Sequence, residues 1–140
     1  MSDTGWNYDA NSNTLTLTNA TIENGHSISS ESAGIFYNGS GTLNIVLEGT
    51  NSIALTSGSL SYGIYYPNGS VVISGDGSLS TAENYEGINA KSITIEGGTI
   101  NASGTTAGLN TSGEDIKISG GTVKASATGS NGMLYIPQGM

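Results

Sequence analysis

The chain has 140 residues, of which 11 are Asp or Glu and three are Lys, with no Arg and no Cys, giving a formal net charge of −8. A length of this order predicts one domain, spanning residues 1–140. The acidic balance excludes a nucleic-acid partner, since a phosphate backbone would be repelled, and the missing Cys excludes a disulfide framework and a thiolate metal site. Charged residues make up 10% of the chain, against about 25% in ordinary soluble domains. Its surface must therefore be covered by Ser, Thr, Asn and Gly. No apolar run approaches the roughly 20 residues of a membrane-spanning helix, so membrane insertion is not expected. The start, Met1–Trp6, lacks the basic-then-apolar run of a signal peptide.

Residues 1–12 read as a cap. They carry the single Trp, Trp6, and Tyr8, two rings suited to covering the first turn of a repeating fold. A first strand follows at Leu15-Thr-Leu17, with a third-strand aliphatic at Ile22. The stretch Asn24–Ala33 is a long irregular loop containing His26, the only His.

From residue 34 onward a repeat takes over. Gly followed by an aliphatic residue recurs as Gly34-Ile35, Gly63-Ile64, Gly87-Ile88, Gly108-Leu109 and Gly132-Met133. After each of the first four comes an alternating apolar signature: Ile45-Val-Leu47, Val71-Val-Ile73, Ile93-Thr-Ile95 and Ile116-Lys-Ile118. A third aliphatic then appears at Ile53, Leu79, Ile100 and Val123, beyond turns such as Glu96-Gly97-Gly98. Period-2 alternation is the signal of a strand, and helical spacing is missing. Three short strands per repeat, always in one order, predict an all-β fold: a right-handed, single-stranded parallel β-helix of about five rungs. Stacking places Leu17, Leu47, Ile73, Ile95 and Ile118 in one internal ladder, with the Gly-Ile aliphatics and the third-strand aliphatics in two more. The segment Gly132–Met140 reads as the start of a sixth rung, with Pro137 closing it or the natural chain continuing beyond.

Gly5-Trp6-Asn-Tyr8-Asp9, then Thr14-Leu-Thr-Leu17, the Gly-Ile pairs and the Ile-x-Gly-Gly-Thr-Ile/Val turns together resemble the small β-helical carbohydrate-binding domains of bacterial secreted and surface proteins. These look like pectate lyases in architecture without the lyase site. The resemblance covers nearly the whole chain and rests on fold-forming positions. It implies the architecture, a non-catalytic polysaccharide-binding role and an extracellular or cell-surface location; other domains of a longer surface protein are open as partners. In that family calcium is sometimes held by acidic residues on the coil, but no calcium-binding motif stands here to transfer. A structural spacer or adhesin stalk remains open as the alternative, with a polysaccharide lyase behind it.

An enzyme reading finds little to build on. Lyase chemistry needs a cationic base, and Lys91, Lys117 and Lys124 sit at turns or outward positions. Glycoside hydrolysis needs two carboxyl groups roughly 5–10 Å apart. Glu48 and Glu96 read as equivalent positions two rungs apart with Ser74 between them, and Asp76 lies in the intervening turn. Glu114 and Asp115 read as a solvated pair, and His26 as a surface residue. Calcium is the better use for Glu48, Asp76 and Glu96, because it accepts several oxygens in irregular geometry.

Aromatic residues give the strongest binding expectation. Counting outward from the inward Ile of each Gly-Ile pair puts Phe36, Tyr65, Asn89 and Asn110 on one flat face, with Leu134 next, while Tyr37, Tyr66 and Tyr135 turn in or toward a corner. Rings can pack on the apolar faces of sugars while amides bond hydroxyls. Tyr62 and Tyr85 stand where they could frame this face. The competing expectation is that stacked rings only tie adjacent strands together. Ice binding would need a regular outward Thr lattice, whereas the outward second-strand residues are Thr16, Val46, Val72, Thr94 and Lys117.

Overall fold

The computed structural model describes residues 5–28, 30–55, 60–82, 85–112 and 114–127. These form 14 strands and no helix. In chain order they are β1 (Trp6–Asp9), β2 (Thr14–Thr18), β3 (Thr21–Ile22), β4 (His26–Ile28), β5 (Glu31–Phe36), β6 (Thr42–Glu48), β7 (Thr50–Ala54), β8 (Ser61–Gly75), β9 (Ser78–Ala82), β10 (Glu86–Ile95), β11 (Thr99–Gly104), β12 (Ala107–Thr111), β13 (Ile116–Ile118) and β14 (Thr122–Ala127). Apart from two antiparallel pairs at the start, sequential strands do not pair with each other; each pairs in parallel with its counterpart one repeat away, which makes the fold a β-solenoid.

Three faces enclose the core. One carries β5, the first half of β8, the first half of β10, and β12. The second carries β2, β6, the second halves of β8 and β10, and β13. The third is the sheet β3-β7-β9-β11-β14. The solenoid makes about three turns, fewer than the five rungs expected. Turns β5–β7, β8–β9 and β10–β11 have neighbours on both sides. The first rung contributes β2 and β3 alone, and β12–β14 is the last described turn, where Ile118 is 52% exposed. Residues 132–140, and with them the expected sixth rung, Met133, Leu134 and Tyr135, lie outside the described residues.

Two antiparallel additions dress the start of the coil. β1 pairs with β2, Trp6 opposite Leu17 and Tyr8 opposite Leu15. β4 folds back on β5, His26 opposite Ala33. Within the segment read as a cap, β1 is thus an edge strand, and its two rings lie on the lumen side with the Leu residues they face.

The inside–outside assignment matches the sequence, with Leu15, Leu17, Leu43, Ile45, Leu47, Val71, Ile73, Ile93 and Ile95 all buried. The Gly-Ile ladder runs in register as Ile35, Ile64, Ile88 and Leu109. The second ladder needs correction. Leu17 faces Leu47, but Leu47 faces Gly75, and Ile73 faces Ile45. The columns are Leu15-Ile45-Ile73-Ile95-Ile118 and Leu43-Val71-Ile93-Ile116. β6 slips by two residues relative to the expected stacking because it has three inward positions, Leu43, Ile45 and Leu47, where two were counted. A two-residue slip leaves every side chain on its own face, so alternation alone cannot reveal it.

The slip passes into the third face. Ile53 stacks on Ile22 as expected, but on its other side faces Thr81, and Asn51 faces Leu79. Asn51 is buried and meets this demand with three bonds. Its Nδ2 donates to the carbonyls of Glu48 (3.2 Å) and Ser78 (3.1 Å), and its Oδ1 accepts from the Ala20 amide (2.7 Å). A buried polar side chain is tolerated when satisfied in this way.

Candidate functional site

The aromatic–amide column forms as the Gly-Ile count implies. Phe36 pairs with Tyr65, Tyr65 with Asn89, and Asn89 with Asn110, one residue per rung on the first face. All four are half-buried. Inward-facing glycine makes this possible. Gly34 and its counterparts meet the core: a Cβ on Gly34 would stand 2.6 Å from Ile53 Cγ2, and one on Gly87 2.6 Å from Thr81 Oγ1. Tyr62 and Glu86, each just before such a glycine, are buried against the column residues, Tyr62 on Tyr65 and Glu86 on Asn89 and Asn110, although each stands two positions before an inward Ile.

The rings form one continuous array. His26 stacks on Phe36 (5.9 Å between centroids, 10° between planes) and Phe36 on Tyr65 (5.9 Å, 28°). Tyr62 lies flat against Tyr65 (4.2 Å, 8°), and Tyr85 meets Tyr62 edge to face (6.1 Å). His26 and Tyr65 come from strands on opposite sides of β5, so both faces of Phe36 are covered. The β4–β5 hairpin brings His26, exposed as expected of a surface residue, onto Phe36.

Two carboxylates that the sequence reading did not single out complete the strip. Glu86, 5% exposed, accepts from Asn89 Nδ2 (2.6 Å) and Asn110 Nδ2 (2.8 Å). It clamps amides of two rungs, so part of their donor capacity serves the protein itself. Glu31 accepts from the Tyr62 hydroxyl (3.2 Å). Burial, then the Glu31 carboxylate, pushes the Tyr62 phenol well above its usual range. Burial, then Glu31 and Glu86, raises Tyr65. One signal did point to Glu86: it holds, before Gly87, the place that Ala33, Tyr62 and Ala107 hold in their rungs. An acid in that column needs a partner.

Tyr37 and Tyr66 turn inward as expected. Tyr66 is fully buried and donates to the Gly41 carbonyl (2.7 Å), with Tyr37 edge-on to its ring at 4.8 Å. Tyr37 donates to Asn13 Oδ1 (2.7 Å), which Tyr8 also engages.

At the N-terminal end, between β1–β2 and β4–β5, the lumen opens into a cavity of about 450 Å³. Leu15, Leu17, Ile22, Ile35 and Leu43 line its interior. Trp6, Tyr8, His26, Phe36, Tyr37 and Asn38 line it as well, and Trp6 and Tyr8 are 44% and 39% exposed. The rings of β1 therefore border the first coil without sealing it.

The three acids proposed for calcium are not all drawn together. Glu48, Asp76 and Glu96 are all exposed at corners. Because of the two-residue slip, Glu48 falls level with Asp76, and Glu96 falls level with Ser74. The expected equivalence of Glu48 and Glu96 across Ser74 does not hold. Glu48 and Asp76 share a shallow corner groove with Gly49, Gly75 and Gly77, and Glu48 accepts from Thr18 Oγ1 (3.1 Å). Among the described residues no group of three or more His, Cys, Asp or Glu could hold a metal ion. Lys91 pairs with Glu114 (3.6 Å), both about half exposed, which makes a surface pair of small energetic weight. The outward residues of the second face fall into two columns, Thr16-Val46-Ser74 and Asn44-Val72-Thr94-Lys117, instead of the one expected.

No family model matches the sequence, and neither the curated proteins nor the solved structures contain a match. The structure establishes the class, a parallel β-solenoid with an aromatic strip on one face.

Proposed function

We propose that this chain is a non-catalytic, extracellular or cell-surface polysaccharide-binding module whose ligand lies along the first face, crossing the rungs. The observation that carries this reading is the in-register run Phe36–Tyr65–Asn89–Asn110, half-exposed on four successive rungs. By strand spacing it extends about 14 Å, the span of an extended ligand rather than a point contact. The Glu86 clamp fixes both amides beforehand, so little ordering remains to be done on binding. Ring edges and phenol hydroxyls beside fixed amides suit a partner with alternating apolar patches and hydroxyls.

The test is a panel of neutral and acidic plant and host polysaccharides, read with wild type, Tyr65→Ala and the milder Asn110→Ser. Saturable binding weakened by both variants supports the proposal. No binding across the panel, or unchanged binding by a folded Tyr65→Ala, overturns it. One observation favours a second reading, a stiff spacer or adhesin stalk: the rings stack on one another, with His26 and Tyr65 covering both faces of Phe36. On that reading Tyr65→Ala lowers stability and no glycan binds.

A further inference from the structure

A solenoid has to cover its ends, because an open rung exposes apolar lumen. At the N-terminal end β1 and β4 flank the lumen and leave a cavity of about 450 Å³. That volume lies within the roughly 300–1,000 Å³ typical of small-molecule sites. Its interior is aliphatic, its border is aromatic, and among the described residues no Asp, Glu or Lys lines it. In a chain with 11 acids and a net charge of −8, neutral walls select the ligand. An anion is repelled by the field of the whole protein, and a cation finds no carboxylate at the walls. The border is also braced, since Tyr8 and Tyr37 share Asn13 Oδ1. Offset or edge-to-face contact with such rings favours a flat aromatic partner over an aliphatic one of equal size. A benzene-sized ligand fills a cavity of about 150 Å³, so this one has room for a ring and a second group of similar bulk toward the mouth, where His26 and Asn38 supply polar contacts.

We propose that the N-terminal end cavity binds an uncharged aryl group carried on a polar body, such as an aryl glycoside. The cavity adjoins the polysaccharide strip and shares Phe36 with it, but Tyr65, Asn89 and Asn110 do not line it, and Tyr8 does not belong to the strip. The single Trp, Trp6, is one wall and reports on occupancy.

Phenyl β-glucoside is titrated while Trp6 fluorescence and the melting temperature are followed, with methyl and cyclohexyl β-glucosides as matched controls. Phenyl β-glucoside produces a saturable change and raises the melting temperature. The cyclohexyl compound binds about three- to tenfold more weakly, and the methyl compound shows no saturation. Tyr8→Ala weakens phenyl β-glucoside binding by a similar factor, and Asn110→Ser, two rungs beyond the Tyr65 that stacks on Phe36, leaves it unchanged. No saturable response to phenyl β-glucoside by either readout overturns the proposal, as does cyclohexyl binding of equal strength or an unchanged affinity in Tyr8→Ala. Weakened polysaccharide binding in Asn110→Ser with aryl binding intact separates the two sites.

Discussion

Replacing Glu86 with Ala tests the arrangement on which the strip depends. Glu86 is nearly enclosed and accepts two amide hydrogen bonds, at 2.6 and 2.8 Å, from residues on its own rung and the next. Hydrogen bonds to a charged acceptor contribute about 1.5–3 kcal/mol each. Offsetting this, the variant no longer has to desolvate a carboxylate, and Asn89 and Asn110, being half-buried, regain some water. Those opposing effects leave a net loss of about 2–4 kcal/mol. In a domain of this length each kcal/mol lowers the melting temperature by about 3 °C, so Glu86→Ala melts about 6–12 °C below wild type. Glu86→Gln keeps the volume and one acceptor oxygen, and loses about half as much. The pairwise part is isolated by a double-mutant cycle with Asn110→Ala, read by urea denaturation, where a coupling of about 1–2 kcal/mol is expected. A Glu86→Ala variant within about 0.5 kcal/mol of wild type, or a coupling near zero, refutes the reasoning. In the same variants polysaccharide binding weakens, because two amides lose their fixed orientation.

Further outcomes follow from other parts of the coil. Gly41 and Gly75 both adopt positive φ (80° and 103°), but a Cβ on Gly41 meets nothing within 4 Å while one on Gly75 runs into the Leu47 backbone. Thermal denaturation should place Gly41→Ala about 1–2 kcal/mol below wild type and Gly75→Ala about 2–4 kcal/mol below; equal losses would show that Leu47 and Gly75 are not neighbours. Tyr62, Tyr65 and Tyr66 have folded-state phenols raised by burial first, so each favours its neutral form in the fold. Their stabilising contribution is complete below the unfolded value of about 10 and is lost as pH climbs through the raised values. An ultraviolet titration should therefore show these three ionising late and together with unfolding, and early reversible ionisation of all seven tyrosines would contradict it. For calcium, melting curves in millimolar calcium and in chelator should coincide, since Glu48, Asp76 and Glu96 do not converge; a rise of several degrees with calcium would place a site on the Glu48–Asp76 corner.

Much of this protein is written in its sequence. Recurring Gly-Ile pairs and alternating aliphatics determined the solenoid, its three faces and the inward or outward sense of nearly every strand residue, because alternation and a repeat of about two dozen residues are local properties of the chain. They also determined the column Phe36–Tyr65–Asn89–Asn110, each member of which follows an inward Ile or Leu. Tertiary structure decided what alternation leaves degenerate. The two-residue slip between β6 and β8 keeps every face and changes every neighbour, which set Leu47 against Gly75, put Asn51 in an aliphatic column and parted Glu48 from Glu96. It also decided contacts between residues far apart in the chain: His26 reaching Phe36 through a hairpin, Glu86 joining Asn89 to Asn110, and β1 bordering the lumen without closing it. Inside and outside follow from each residue's nearest neighbours in sequence, whereas register and end closure depend on how whole rungs fit together.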